Sequence, residues 1–346
     1  MQCNVLIIGF GLAGWALSEV LKKEGISFTV YDTKQFSSSR VATGIYNPVA
    51  LKRFRAIWNA NTLMEQALLL YKQPKYIHTQ HPMPIYRVFA AAAEHNEWAV
   101  ATDKYAVHTY LKPGFFSSIN AFIKTPYGLG EVQHTGWVDT NALLDTAKKD
   151  LLSSGCFVEE QFNYDALSII ASGGVQYKNM NAQHVVFAEG VGVLNNPWFS
   201  NLPVIPNKGE WLIVSCKGLG LRQMIKGSVF IVPLGNDVYR VGATYARDFV
   251  DEDPSLEGKE WLVSKFEKLV TLPFTVLSHG AGLRPTTTDR KPILGQHSSH
   301  ASFWCVNGLG SRGVLWAPYL ATLFVNALKG TQKVPQELDV RRFLTP

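Results

Sequence analysis

At 346 residues the chain is too long for one small core, and at roughly 150 residues per domain it points to two domains. With 47% hydrophobic and 17% charged residues its composition excludes intrinsic disorder. The net charge of +6 is carried by dispersed lysines and arginines rather than basic runs, which argues against a nucleic-acid partner.

In chain order, "NVLIIG" reads as a buried strand that turns through "GFGLAG" into the amphipathic helix "WALSEVLKKEG". The turn needs three residues without a Cβ: one for its tightness, one where a pyrophosphate approaches the backbone, and one where helix and strand pack closely. Gly9, Gly11 and Gly14 fit those places, with Leu12 and Ala13 between them. The helix start offers unpaired N–H groups and the positive end of its dipole to an anion. A second strand, "FTVYD", ends on Asp32, whose carboxylate can accept from the ribose hydroxyls of an adenosine. Strand, glycines, helix, strand and acid in register predict a dinucleotide site.

After Asp32 comes the small-residue loop "SSSRVATGIYNP", then apolar residues at helical spacing in "RAIWNANTLMEQALLLYKQ". From residue 76 to about 135 the chain is short-segmented, aromatic and turn-rich, which predicts strands of another sheet. "GWVDTNALLDTAKKDLLSSG" predicts a helix with Asp139 as N-cap and Gly155 just past its end. "AQHVVFAEG" returns to a buried strand. "KGEWLIVS" through "VFIVPLGNDVYRVGATY" is a second β-rich block with "GND" as a hairpin turn, and "WLVSKFEKLVTL" reads as a helix. The last sixty residues give another strand, "SFWCVNGLG", a glycine turn, and the helix "GVLWAPYLATLFVNALKG". The simplest parse has the chain leave the nucleotide unit and return twice: 1–75, 138–203 and 285–346 form that unit, and 76–137 and 204–284 form a substrate unit.

The second glycine turn, "NGLGSRGVLWAP", feeds another helix start, so Gly310 to Gly313 could hold a second negative or electron-rich group. A reduced flavin carries charge near N1 and the C2 carbonyl, where a helix dipole stabilises it. Arg284, flanked by Gly282, Leu283 and Pro285 in an apolar segment, can grip a carboxylate bidentately and orient the neighbouring Cα, or serve an internal ion pair. Arg312 can touch substrate or flavin or brace its loop; Tyr46 can line the pocket or the core. His279 reads as structural. Cys3, Cys156, Cys216 and Cys305 form no CxxC or Cys/His cluster, so neither a metal site nor a disulfide framework is indicated. Reduced thiols, no apolar run of ~18 residues and a first strand at Asn4 make a cytoplasmic protein the expectation.

The motifs "VLIIGFGLAG" with Asp32, "SSSRVATG", "GWVDTNALLDTA", "VVFAEG", "VFIVP", "YRVGATY", "GLRPTTTDRKPILG" and "NGLGSRGVLWAP" together resemble the D-amino-acid oxidase superfamily of FAD-dependent oxidoreductases, in the style of glycine oxidase. The resemblance implies an α/β fold with a Rossmann-like (GR2-type) FAD domain and an antiparallel β-rich substrate domain. It implies FAD held along Ser39, Arg40, Thr43 and Gly44, at Ala188 and Gly190, and at Gly310, Ser311, Arg312, Gly313 and Val314. Arg284 falls where such enzymes hold the substrate carboxylate, and oxidation would send hydride from Cα to flavin N5. Phe230 stands where glycine oxidase-like members carry a tyrosine, and Arg284 stands where sarcosine oxidase-like members carry a flavin-linking cysteine, so dissociable FAD is expected. The implied partner is a small amine or amino acid, with oligomeric state open. Two other readings are an oxidase of a glycine-like group on a modified tRNA base, and a flavin-binding protein without turnover. The sequence offers no role for Glu189.

Overall fold

The computed structural model describes residues 2–33, 37–171 and 173–343. The strand Gln2–Ile8 lies between Phe28–Asp32 and Met180–Phe187, parallel to both; Phe157–Glu159 and Phe303–Asn307 extend the parallel set on either side. Antiparallel strands Ile293–Gln296, Val175–Tyr177 and Leu167–Ile169 complete eight strands. Both faces are covered. Val5 and Ile7 pack beneath helices α1 (Leu12–Lys23), α2 (Ala60–Tyr71), α4 (Thr140–Ser153) and α6 (Gly313–Leu328), while Leu6 and Ile8 pack against Tyr177, Phe187 and Phe199. Burial on two sides is why "VLII" is continuously apolar instead of alternating.

The Asp139 carboxylate caps α4, accepting from the Asn141 and Ala142 amides at 3.0 Å each, and Gly155 has φ +68° just beyond it. The "GND" turn is a hairpin with Asn236 and Asp237 both at positive φ.

A second sheet of seven strands follows the order Thr275–Thr287, Val204–Ser215, Val238–Gly242, Phe230–Gly235, Met224–Lys226, Ile85–Val88 and Leu129–Val132. The expectation of an antiparallel sheet needs one correction: Met224–Lys226 pairs parallel with Ile85–Val88. Chain segments far apart in sequence meet there, and a crossover rather than a hairpin joins them. A second correction concerns residues 76 to 135, read as strands. Helix α3 (Ala93–Thr102) lies among them, its Trp98 buried against Phe54 and Phe89 and under Gly130. The alanine-rich stretch before it has high helix propensity, and its two buried apolar anchors, Trp98 and Ala101, are too few to print a helical period. Helix α5 (Leu256–Glu267) covers the outer face of this sheet through Leu262 and Phe266. Among the described residues no helix is long and apolar enough to cross a membrane.

Candidate functional site

A cavity of about 390 Å³ lies between the two sheets. On one side it is lined by Gly11, Leu12 and Ala13 at the start of α1, and by Gly310 to Val314 at the start of α6. The N-cap residues, Gly11 and Arg312, make no side-chain cap of their own. Two positive dipole ends therefore converge on one chamber, which suits a ligand with more than one anionic or electron-rich region.

The three glycines of the first turn divide the work the sequence assigned to them. Gly9 has φ +97°, and a Cβ there would sit 2.6 Å from the Ala188 carbonyl oxygen; a Cβ on Gly14 would overlap the Gly9 carbonyl. These two are packing positions. Gly11 faces the cavity, and its Cβ would meet Ser39 Oγ at 2.7 Å. Ser39 Oγ accepts from the Leu12 amide at 2.9 Å, so the chain at Ser39 closes over the helix start. Thr43 and Gly44 line the chamber; Gly44 has φ +72° and packs its α-carbon on the Val138 backbone. Ala188 and Gly190 line it from the end of Met180–Phe187. A diphosphate and a flat ring system need such bare backbone, and these residues fit FAD as a group.

The opposite wall is one face of the seven-stranded sheet. Arg284 lies across from Asn207 in register, and Gly282 across from Gly209, so the floor beside the guanidinium has no side chains. Arg284 Nη1 donates to Asn207 Oδ1 at 2.8 Å and to the Thr244 carbonyl at 3.2 Å; Nη2 reaches the same carbonyl at 3.3 Å. Among the described residues no carboxylate pairs with it. Burial holds its pKa below the usual guanidinium value. Trp211, Phe230 and Tyr245 form apolar walls, with the Arg240 guanidinium 4.1 Å over the Trp211 ring. Arg312 also lines the cavity, its pKa lowered by burial.

Several residues singled out from the sequence lie elsewhere. Tyr46 is 3% exposed beneath Gly136, its hydroxyl accepting from Gln80 Nε2 at 3.3 Å, and it does not border the cavity. Arg40 points to α4 and pairs with Asp145 at 2.7 Å. Asp32 sits at the end of its strand outside the cavity lining, its carboxyl raised by burial against hydrogen bonds from the Phe10 and Thr33 amides. His279 lies on the outer face of the sheet, 2.9 Å from Glu210. Glu189 acquires a structural role: it accepts from Tyr164 Oη at 2.6 Å and from Asn196 Nδ2 at 2.8 Å, bracing the turn between Ala188 and Gly190. Sequence reasoning passed over Lys226, which lines the cavity, and Asn307, whose Nδ2 donates to the Gly190 carbonyl at 2.8 Å. The four cysteines are free thiols, and among the described residues neither cysteine nor histidine borders the chamber.

The family model for FAD dependent oxidoreductase (DAO) matches residues 4–327. Glycine oxidase of Pseudomonas putida is 31% identical over 159 residues; the match covers 44% of this chain and 43% of that enzyme, so it spans less than half the length of the relative. The tRNA 5-methylaminomethyl-2-thiouridine biosynthesis bifunctional protein MnmC of Paraburkholderia phytofirmans is 24% identical over 411 residues, covering 99% of this chain and 60% of that protein. Among solved structures, glycine oxidase from Geobacillus kaustophilus superposes with TM-score 0.79 at 18% identity, covering 99% of this chain and 98% of that one. Iminodiacetate oxidase from Chelativorans sp. BNC1 also gives 0.79, at 16% identity over 96% of this chain and 98% of that one. At these identities the structures testify to the fold.

Proposed function

The chain belongs to the FAD-dependent oxidoreductase (DAO) family, and on that premise we propose that it oxidises the C–N bond of an amino acid or related amine. One observation carries the reading: two helix starts whose N-cap residues lend no side-chain cap, and a buried arginine with no acidic partner among the described residues, border the same cavity. FAD, when bound, would supply the electron acceptor, with N5 as the site for the Cα hydride. Gly11, Leu12 and Ala13 with Ser39, Thr43 and Gly44 would hold its pyrophosphate side, and Gly310 to Val314 its pyrimidine edge. Arg284 grips the substrate carboxylate and orients Cα; its own fork is held by Asn207 and Thr244, so little ordering is left to substrate binding. Trp211, Phe230 and Tyr245 exclude water from the reacting carbon. Arg312 stands at the start of α6, between substrate and cofactor sides. The absence of a hydroxyl on Phe230 favours a substrate with a side chain or N-substituent over glycine itself. That neither cysteine nor histidine among the described residues lines the cavity supports FAD held without a covalent link.

Purified protein is expected to be yellow, to release stoichiometric FAD on acid denaturation, and to bleach anaerobically with members of a panel of amino acids and N-methyl amines. Colourless protein that takes up no FAD would refute the reading. A second reading has one observation in its favour, the match to MnmC over 99% of the chain: oxidation of a glycine-like group on a modified tRNA base. Salt-dependent tRNA binding with flavin bleaching by tRNA, and none by free amino acids, would replace the first reading with it.

A further inference from the structure

The cavity carries more positive charge than an amino-acid carboxylate requires. Arg284 meets that need alone, yet Lys226 borders the same chamber from three strands further across the sheet than the strand beside Arg284. Lys226 sits across from Phe230 in register, and its Nζ lies 4.9 Å from the centre of the Phe230 ring. Its one hydrogen bond among the described residues is to the Ser228 carbonyl at 3.2 Å. No carboxylate of the described residues pairs with it; the guanidinium beside it, Arg87, pairs with Glu94 instead. Lys226 is half-buried and its bond to Ser228 lies at the surface, so its ammonium is drawn only part-way out of water, which is still costly without a counter-ion. Burial, with Arg87 adding to it, brings the Lys226 pKa down to about 8. An ammonium in that setting is a receptor for an anion that comes from outside the chain.

We propose that Lys226 recognises a second anionic group of the substrate, so that the enzyme prefers amino acids carrying a distal carboxylate or equivalent anion. The inference rests on the amine-oxidase reading, because it assumes that Arg284 takes the first carboxylate. The spacing follows from the sheet. The Arg284 guanidinium leans over Gly209 and Thr244, while Lys226 leans over Phe230. About two strand intervals of ~4.8 Å separate those places, so the two anions should lie roughly 10 Å apart. Aspartate is too short to bridge them. The fitting class is a longer aminodicarboxylate or an N-(ω-carboxyalkyl) amino acid, with Phe230 and Trp211 flanking the methylenes between.

The test reads binding as well as turnover. FAD-loaded protein is titrated with the diacids malonate through suberate and with monocarboxylates of matching length, following the perturbation of the flavin absorption band. A long diacid should bind at least tenfold tighter than its matching monocarboxylate, and succinate should show no such gain. Lys226→Met should erase the difference, and Lys226→Arg should keep most of it. The inference is overturned if diacid and monocarboxylate bind alike, or if Lys226→Met weakens both equally while its flavin spectrum is normal. Among N-(ω-carboxyalkyl)glycines, anaerobic bleaching should be fastest for a long chain, and the ratio to sarcosine should collapse in Lys226→Met. Selective diacid binding without bleaching by any amine would leave Lys226 as the anion receptor and remove the amine-oxidase reading instead.

Discussion

If Arg284 holds the substrate carboxylate, Arg284→Ala should separate catalysis from cofactor binding. The guanidinium gives a carboxylate two charge-assisted hydrogen bonds, each worth about 1.5–3 kcal/mol in a site shielded from water. Their loss, about 3 kcal/mol or more, corresponds to a fall in kcat/KM of at least about a hundredfold. The substitution also leaves the Asn207 Oδ1 and Thr244 carbonyl acceptors without their donor, at about 1 kcal/mol of stability since cavity water can take its place. The flavin spectrum should be unchanged, because the hydrogen bonds of this guanidinium go to Asn207 and Thr244 and not to the two helix starts. Lys should restore only part of the activity, as an ammonium keeps the charge without the planar fork. Amines lacking a carboxylate should be oxidised no worse than before. Steady-state kinetics beside FAD content and thermal melting read all of this. Unchanged amino-acid turnover, or a variant that loses its flavin or unfolds, would refute the reasoning and assign Arg284 to the framework.

Gly11→Val drives a Cβ toward Ser39 Oγ and methyl groups into the pyrophosphate path, so FAD retention after purification should be abolished; normal FAD content would show that the turn holds something else. Gly209→Ala places a methyl against the Arg284 guanidinium, and should lower kcat/KM for carboxylate substrates while FAD content stays intact; unaltered kinetics would show that the guanidinium has other room. Glu189 has its folded pKa raised above the ordinary 4.5 by burial, so the folded state holds its proton more tightly than the unfolded chain. Stability from this group is therefore full below pH 4.5 and declines as pH rises through the folded pKa. Denaturant midpoints of Glu189→Gln across that window should be flatter than wild type, and parallel curves would exclude the buried acid as the source.

What the sequence reveals is set by how local the determinant is. Gly9, Gly11 and Gly14 could be read because a tight turn forces glycine at fixed spacing, and Asp139 because a cap acts within three residues. Helix α3 could not, since Ala-rich residues owe their helix to two anchors reaching into a cluster built from distant segments. The small-residue loop leaves Tyr46 open between pocket and core and sets Arg40 beside the cofactor, but burial under Gly136 and the charge of Asp145 decide where they point, and both partners come from about a hundred residues further on. Lys226 gave no signal at all. Lysine in a strand is ordinarily a solvated edge, and only the sheet register that sets it beside Phe230 turns it inward.

The chamber meets two anion-binding demands by different means. A diphosphate is bulky and must be reached by backbone, so its side is built of glycines and helix starts whose N–H groups act only at close range. A carboxylate on a small mobile substrate must be oriented as well as attracted, so its side is built of guanidinium and ammonium groups on strands, where cross-strand partners fix their directions. At Gly9, Gly11, Gly14 and Gly44 the first side has no room for a Cβ, and the second side depends on its charges. Since the first side is carried by the ends of the eight-stranded sheet and the second by one face of the seven-stranded sheet, defects in cofactor retention and in substrate selection should segregate by sheet.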